Sequence, residues 1–293
     1  LTRRQDLKPA IEGNAGIKAR EAAIREAFEQ WWQAHSGRIT ALHGQTSLVT
    51  TREELLASFA EALTPTRLLD AFQVRGISAG FWYDNLNDFK AIMARGPLGL
   101  IRGWRDTILS ELKDEETKKK SNPLEHKLVK FLMGDFVEAI HELEARKAEL
   151  VSQIKAADPR SAKDADGEDG EAAEAEDEVD DENAVDEAQL KAWKKELATV
   201  KKQLKAKKDS FAAHLNKAVD GLSPEQAAEL LLTILHDDMR AIVERYIAAQ
   251  RKAIVAAFEN WWDKYRVTLT EIEGKRDAAA KALQGFLKGL GYV

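Results

Sequence analysis

The sequence predicts a mainly α protein: an elongated helical bundle with an antiparallel coiled-coil hairpin interrupted by a disordered acidic loop. Three observations carry that prediction. Apolar residues recur at three- and four-residue spacing through most of the 293 residues. Proline and capping side chains stand where helices should begin. The run Asp164–Glu187 holds fourteen acidic residues and no basic one, which is too much like charge and too little apolar surface to fold.

Taken in chain order, Ala23-Ile24, Ala27-Phe28 and Trp31-Trp32 form the stripe of an amphipathic helix. Thr51 followed by Glu54 matches a capping box and predicts a helix through Leu55, Leu56, Phe59 and Leu63. Thr64-Pro65 predicts the next start, because a proline at the first helical position gives up no needed N–H. The segment GISAGFWYDNLNDFKAIMARGPLGLIRGW (76–104) is rich in glycine and aromatics and lacks a long stripe. Short helices among irregular turns are expected there, with a short strand pair near Gly76–Tyr83.

Asn122-Pro123 and Ser223-Pro224 repeat the start signal, and Gln226 completes a box with Ser223. One helix is expected over Leu124–Ala157, through Leu128, Phe131, Leu132, Phe136, Ile140, Leu143, Leu150 and Ile154. Asp158-Pro159 ends it, since the residue before proline is pushed out of the helical region. Beyond the acidic run, Leu190, Trp193, Leu197, Val200, Leu204 and Phe211 fall at steps of 3, 4, 3, 4 and 7, a heptad pattern. A long helix is expected from Pro224 to Gly274 with a break near Gln250, followed by a piece carrying Leu283, Phe286, Leu287 and Leu290. The chain thus divides into an N-terminal helical part (1–120), a helical hairpin (121–222) with the acidic insert at 158–187, and a C-terminal long helix and tail (223–293).

The formal charge of −6 is a misleading average, because setting aside the fourteen acidic residues leaves +8 on the rest. A mildly basic body is compatible with nucleic acid nearby. The absence of cysteine excludes disulfides, thiolate metal ligands and a thiol nucleophile. No signal peptide or membrane-length apolar run is visible, so a cytoplasmic location is expected. A first residue of Leu rather than Met points to a piece of a longer protein.

Signals for catalysis are lacking. Gly13-Asn-Ala-Gly16 and Gly96-Pro-Leu-Gly99 lack the Lys-Ser/Thr or third glycine of phosphate-binding loops. His236-Asp237-Asp238 is the densest cluster of metal-ligand types, but neighbouring residues on a helix point in different directions and cannot share an ion. Catalytic, cofactor-binding and metal-ligating residues are therefore all expected to be none.

Two features suggest binding instead. The run KAWKKELATVKKQLKAKK (191–208) offers Lys194, Lys195, Lys201 and Lys202 as DNA-proximal residues, or simply as the solvated exterior of a coiled coil. The windows AIREAFEQWW (23–32) and AIVAAFENWW (253–262) share seven of ten letters and hold four of the seven tryptophans. Adjacent aromatics at a helix end wedge helices together. The expectation is that both pairs close helices packing in related ways, with partner recognition as the alternative. The candidate packing or partner surface is Trp31, Trp32, Leu190, Trp193, Leu197, Val200, Leu204, Phe258, Trp261 and Trp262.

The run LTPTRLLDAFQVRGISAGFWYDNLNDFKAIMARGPLGLIRGW (63–104) and the whole of 235–293 resemble the region beyond the catalytic domain in long modification subunits of type I restriction–modification enzymes. The stretch E-N-W-W-D-K-Y at 259–265 and the terminal F-L-K-G-L-G-Y are the most specific parts. Phe28–Trp32 followed by Leu68-Leu69-Asp70 fits the same arrangement, so the resemblance spans nearly the whole chain with the acidic insert as a variable loop.

The resemblance implies a parent enzyme that transfers a methyl group from S-adenosylmethionine to adenine N6 in DNA. It implies assembly with a specificity subunit that reads the DNA site, and with a restriction subunit that joins the complex. The helices after the catalytic domain would associate with the specificity subunit and help close the protein around DNA. The family's Gly-rich cofactor loop and Asn-Pro-Pro-aromatic motif are absent here, for Asn122-Pro123 continues as Leu124-Glu125. No catalytic residue is carried over, the cofactor belongs to an upstream domain, and this chain alone is expected to be inactive. A free-standing helical adaptor, or a compact nucleic-acid binder using Lys191–Lys208, are the alternatives.

Overall fold

The computed structural model describes residues 3–44, 47–113, 122–157, 187–265, 267 and 269–291. The acidic insert lies outside the described residues. Those residues are mainly helical, with no strand among them, and divide into two compact units. One comprises Leu1–Lys90 with Leu235–Val293, the other Ala91–Ile234, and the division falls within two helices.

In the first unit, α1 (Leu7–Glu12) leads into α2 (Ala15–His35), whose N-cap Asn14 accepts from the N–H groups of Gly16 and Ile17 at 2.9 and 3.2 Å. A short α3 (Gly37–Thr40) precedes α4 (Leu48–Leu63). The cap of α4 is Ser47, not Thr51: the Ser47 backbone is extended and its hydroxyl accepts from Val49 N–H at 3.2 Å. Thr51 lies inside the helix, so its box never forms. Thr64-Pro65 makes only a 3₁₀ turn (Thr64–Thr66), which Arg67 ends at φ 56°.

The next helix, α5 (Ala71–Asp84), starts instead at Asp70, in a full capping box with Gln73. The Asp70 carboxylate accepts from Phe72 and Gln73 N–H at 2.8 Å, and Asp70 N–H donates to the Gln73 side chain at 2.9 Å. The strand pair expected near Gly76–Tyr83 is this helix. The buried set Val74, Ile77, Ser78, Phe81 and Trp82 recurs at helical spacing, which overrides the β preference of the aromatics. Tyr246 packs close over Gly76: a Cβ there would lie 3.0 Å from the hydroxyl, so a larger residue requires the phenol to give way by a few tenths of an ångström.

Helix α6 (Leu86–Lys113) carries the unit division after Lys90. Its helical course breaks once, at Gly96 (φ 72°, ψ 175°), a conformation open essentially to glycine, and Pro97 restarts it. The expected irregular segment (76–104) is thus most of α5 and the first part of α6, meeting at Asn85, with one kink at Gly96.

In the second unit a 3₁₀ turn (Pro123–Glu125), capped by Asn122, precedes α7 (Lys127–Leu132) and α8 (Gly134–Ala157). The single helix expected over Leu124–Ala157 is interrupted at Met133, where the poor helix former Gly134 follows. Next come α9 (Glu187–Asp220) and α10 (Pro224–Tyr265). Leu150, Val151 and Ile154 of α8 cluster with Leu197 and Val200 of α9, and Leu143, Leu190 and Trp193 pack against them. Each fully buried aliphatic of this kind contributes roughly 1.5–3 kcal/mol. Phe136 meets Phe211 at 6.2 Å, Glu144 pairs with Lys208 at 2.8 Å, and Arg146 pairs with Glu196 at 2.7 Å, so the numbering rises along α8 as it falls along α9.

The box opening α10 forms as the sequence predicts: Ser223 N–H donates to Gln226 at 2.9 Å and Gln226 N–H to the Ser223 hydroxyl at 3.2 Å. The helix runs without a break at Gln250 and stops at Tyr265, short of Gly274, and α11 (Leu269–Gly289) follows. From Leu235 onward α10 belongs to the first unit. There Leu235, Met239, Val243 and Ile247 are buried, as are Ile24 and Phe28 of α2 and Phe59 of α4. Ion pairs also join α2 to α10, with Glu21 to Arg251 at 2.6 Å and Arg25 to Glu244 at 2.9 Å. Among the described residues no helix is long and apolar enough to cross a membrane.

Candidate interaction surface

The twin aromatic segments meet opposite fates. Trp31 and Trp32, at the end of α2, are buried. The Trp31 indole N–H donates to the Ser58 hydroxyl at 3.0 Å, and its ring meets Phe59 edge-on at 4.9 Å. Trp32 lies 6.2 Å from Phe28 and 5.3 Å from His236. Phe28 stacks on His236 at 5.3 Å, and the imidazole Nε2 lies 2.9 Å from the Glu29 carboxylate. This pair is architecture.

On α10 the same letters face solvent. Phe258 is 42% exposed and Trp261 56%, and the two rings meet edge-on at 5.1 Å. Trp262 is half-buried, whereas Tyr265 is 67% exposed. Arg4 holds this helix end on its other flank, pairing with Glu259 at 3.3 Å and Asp263 at 3.2 Å.

The exposure continues along α11. Ile272, Leu283, Phe286 and Leu290 are all exposed, and with Arg276 and Ala279 they follow steps of 4, 3, 4, 3 and 4. That is the spacing of a helix that packs along one seam against another helix. Exposed apolar residues at this spacing make α11 a candidate interaction surface, interrupted by Arg276. Phe258, Trp261 and Trp262 are among the surface candidates the sequence offers and Tyr265 closes the stretch 259–265, whereas Ile272 is not among them, although the spacing from Ile272 to Leu290 is visible in the sequence.

The remaining candidates are placed elsewhere. Leu197, Val200 and Leu204 of α9 are buried, and Leu190 and Trp193 pack on the α8–α9 cluster. Lys194, Lys195 and Lys202 are exposed and Lys201 is half-buried. His236 Nε2 lies 2.9 Å from the Glu29 carboxylate, and among the described residues no group of three or more His, Asp or Glu is placed to hold a metal.

Hydrogen bonding to Glu244 raises the Arg25 guanidinium above its ordinary range, and the same bond holds the Glu244 carboxyl below its own. Burial pushes the His35 imidazole down, helped by nearby Arg38, and His35 Nδ1 lacks a hydrogen-bond partner.

Comparison with protein-family models, with curated proteins and with solved structures finds no match for this chain.

Proposed function

We propose that the chain is the helical assembly and DNA-clamping region of a type I modification subunit, whose parent enzyme methylates adenine N6 in DNA using S-adenosylmethionine. One observation carries this reading. The stretch at 259–265, where the sequence resembles that family most specifically, is the stretch the fold leaves open, while its near-copy at 28–32 is buried. A protein keeping Phe258, Trp261 and Tyr265 in water has a use for them outside its own core. The partner would be the specificity subunit, presenting a long helix to Phe258–Tyr265 and to the α11 seam, with a restriction subunit joining later.

The α8–α9 pair is read as an antiparallel coiled-coil hairpin interrupted by the acidic loop, with Lys194, Lys195, Lys201 and Lys202 toward DNA in the assembled complex. Catalysis and the cofactor belong to an upstream domain. The test is to read the coding DNA before Leu1. An open frame with a Gly-rich cofactor loop and an Asn-Pro-Pro-aromatic motif is expected, whereas a start codon immediately before Leu1 overturns the reading in favour of a free-standing helical adaptor.

A further inference from the structure

A second feature of the first unit owes nothing to the aromatic surface. A cleft of about 300 Å³ opens beside the first turn of α2, within the size range of small-molecule sites. Ile17, Leu68 and Ile254 supply its apolar wall, and Arg20, Arg67 and Gln250 supply donors. No carboxylate is among the lining residues.

The unit's arginines divide into those held in salt bridges and those that are not, Arg52, Arg75 and Arg245 being among the second group. Arg4, Arg25, Arg38 and Arg251 each pair with an acidic side chain. Among the described residues, Arg20 and Arg67 pair with none. Instead the Arg20 guanidinium donates to the Arg67 carbonyl at 3.4 Å, which brings the first side chain to the second residue's backbone. Gln250, also a lining residue, accepts from Gln73 at 3.4 Å through its amide oxygen. The N–H groups of Gly16 and Ile17 are already taken by Asn14, so the side chains rather than the helix end provide the positive field.

We propose that this cleft binds a small organic phosphate, with the phosphoryl group at Arg20 and Arg67 and the organic part against Ile17, Leu68 and Ile254. Two exposed guanidiniums match the charge of about −1.5 to −2 on a phosphomonoester better than they match the single charge of a carboxylate. The apolar wall gives the organic part a reason to add affinity. The assignment is independent of the assembly reading and stands or falls separately from it.

The test is calorimetric titration of the full chain with adenosine 5′-monophosphate, beside adenosine and inorganic phosphate. The nucleotide is expected to bind more tightly than either fragment. Arg20→Gln and Arg67→Gly are each expected to weaken it about tenfold, the loss of one charge-assisted pair. Arg67→Gly is the safer probe, because φ 56° suits glycine and removes the side chain without straining the fold. Absence of saturable binding at about 10 mM, beyond the weak end of built sites, overturns the proposal. So does unchanged affinity in both variants, or equal affinity for nucleotide and inorganic phosphate. Displacement of the nucleotide by a short DNA duplex assigns the phosphate to a polymer and also overturns it.

Discussion

Glu21 sits at 5% exposure with both carboxylate oxygens on the Arg251 guanidinium, at 2.7 and 2.6 Å. A bidentate pair of this geometry is weak support for stability as a whole but strongly penalises the loss of one member. Arg251→Met leaves the carboxylate only its 3.8 Å contact with Arg25 and is expected to cost about 2 kcal/mol, read from urea unfolding. Adding Glu21→Gln in the same chain should recover most of that loss. His35 gives a pH dependence of known sign. Its folded value lies below its ordinary one, so its contribution is complete above an unfolded value of about 6.5 and is lost as pH falls through the folded value. The Tm should fall between pH 7 and 5, and His35→Phe should flatten that slope. Glu244 acts in a lower window. Its folded value is also depressed, so its contribution holds above an unfolded value of about 4.3 and fades as pH falls through the folded one.

At the scale of elements, the twin helix ends make a controlled comparison. Trp31→Ala empties a buried site and is expected to cost about 3–5 kcal/mol, whereas Trp261→Ala should change stability by no more than about 0.5 kcal/mol. Chemical denaturation of the two variants checks both, and a Trp261→Ala chain that unfolds as easily as Trp31→Ala refutes the surface reading. The same elements show what the sequence made legible. Ser223 and Gln226 form a box because both side chains and the proline agree on one start. Thr51 and Glu54 match the same pattern and fail, because Ser47 caps the helix four residues earlier and leaves no free end for Thr51 to cap. Local pattern cannot decide between two competent caps. The strand expectation at Gly76–Tyr83 failed for a related reason. Two glycines and three consecutive aromatics hide a helical stripe whose meaning depends on the packing of Tyr246 over Gly76.

Across the whole molecule, composition separates an acidic stretch from a basic remainder, and this has a consequence for binding. Deleting residues 164–187 leaves a formal charge of +8 and is expected to raise non-specific DNA affinity and steepen its salt dependence. An unchanged slope in salt titrations would show that the loop does not screen the lysines of α9. The helical class was legible because period and punctuation agree over most of the chain. The candidate surface was legible only in part, because identity of letters says nothing about what covers them: Phe28 and Phe258 have the same neighbours in sequence and different ones in space. The cleft at Arg20 and Arg67 was not legible at all, since its residues come from three separate stretches of chain.

The burial of one tryptophan pair and the openness of Trp261 give the chain its own optical reporter. Iodide should quench only part of the indole emission, leaving a fraction owed to the buried Trp31, Trp32, Trp82 and Trp104. Any molecule that settles on α10 near Trp261 would shift the accessible fraction toward the blue and protect it. The docking of a partner could therefore be followed in the unlabelled protein, and quenching of all the tryptophans alike would show that the first pair is not buried.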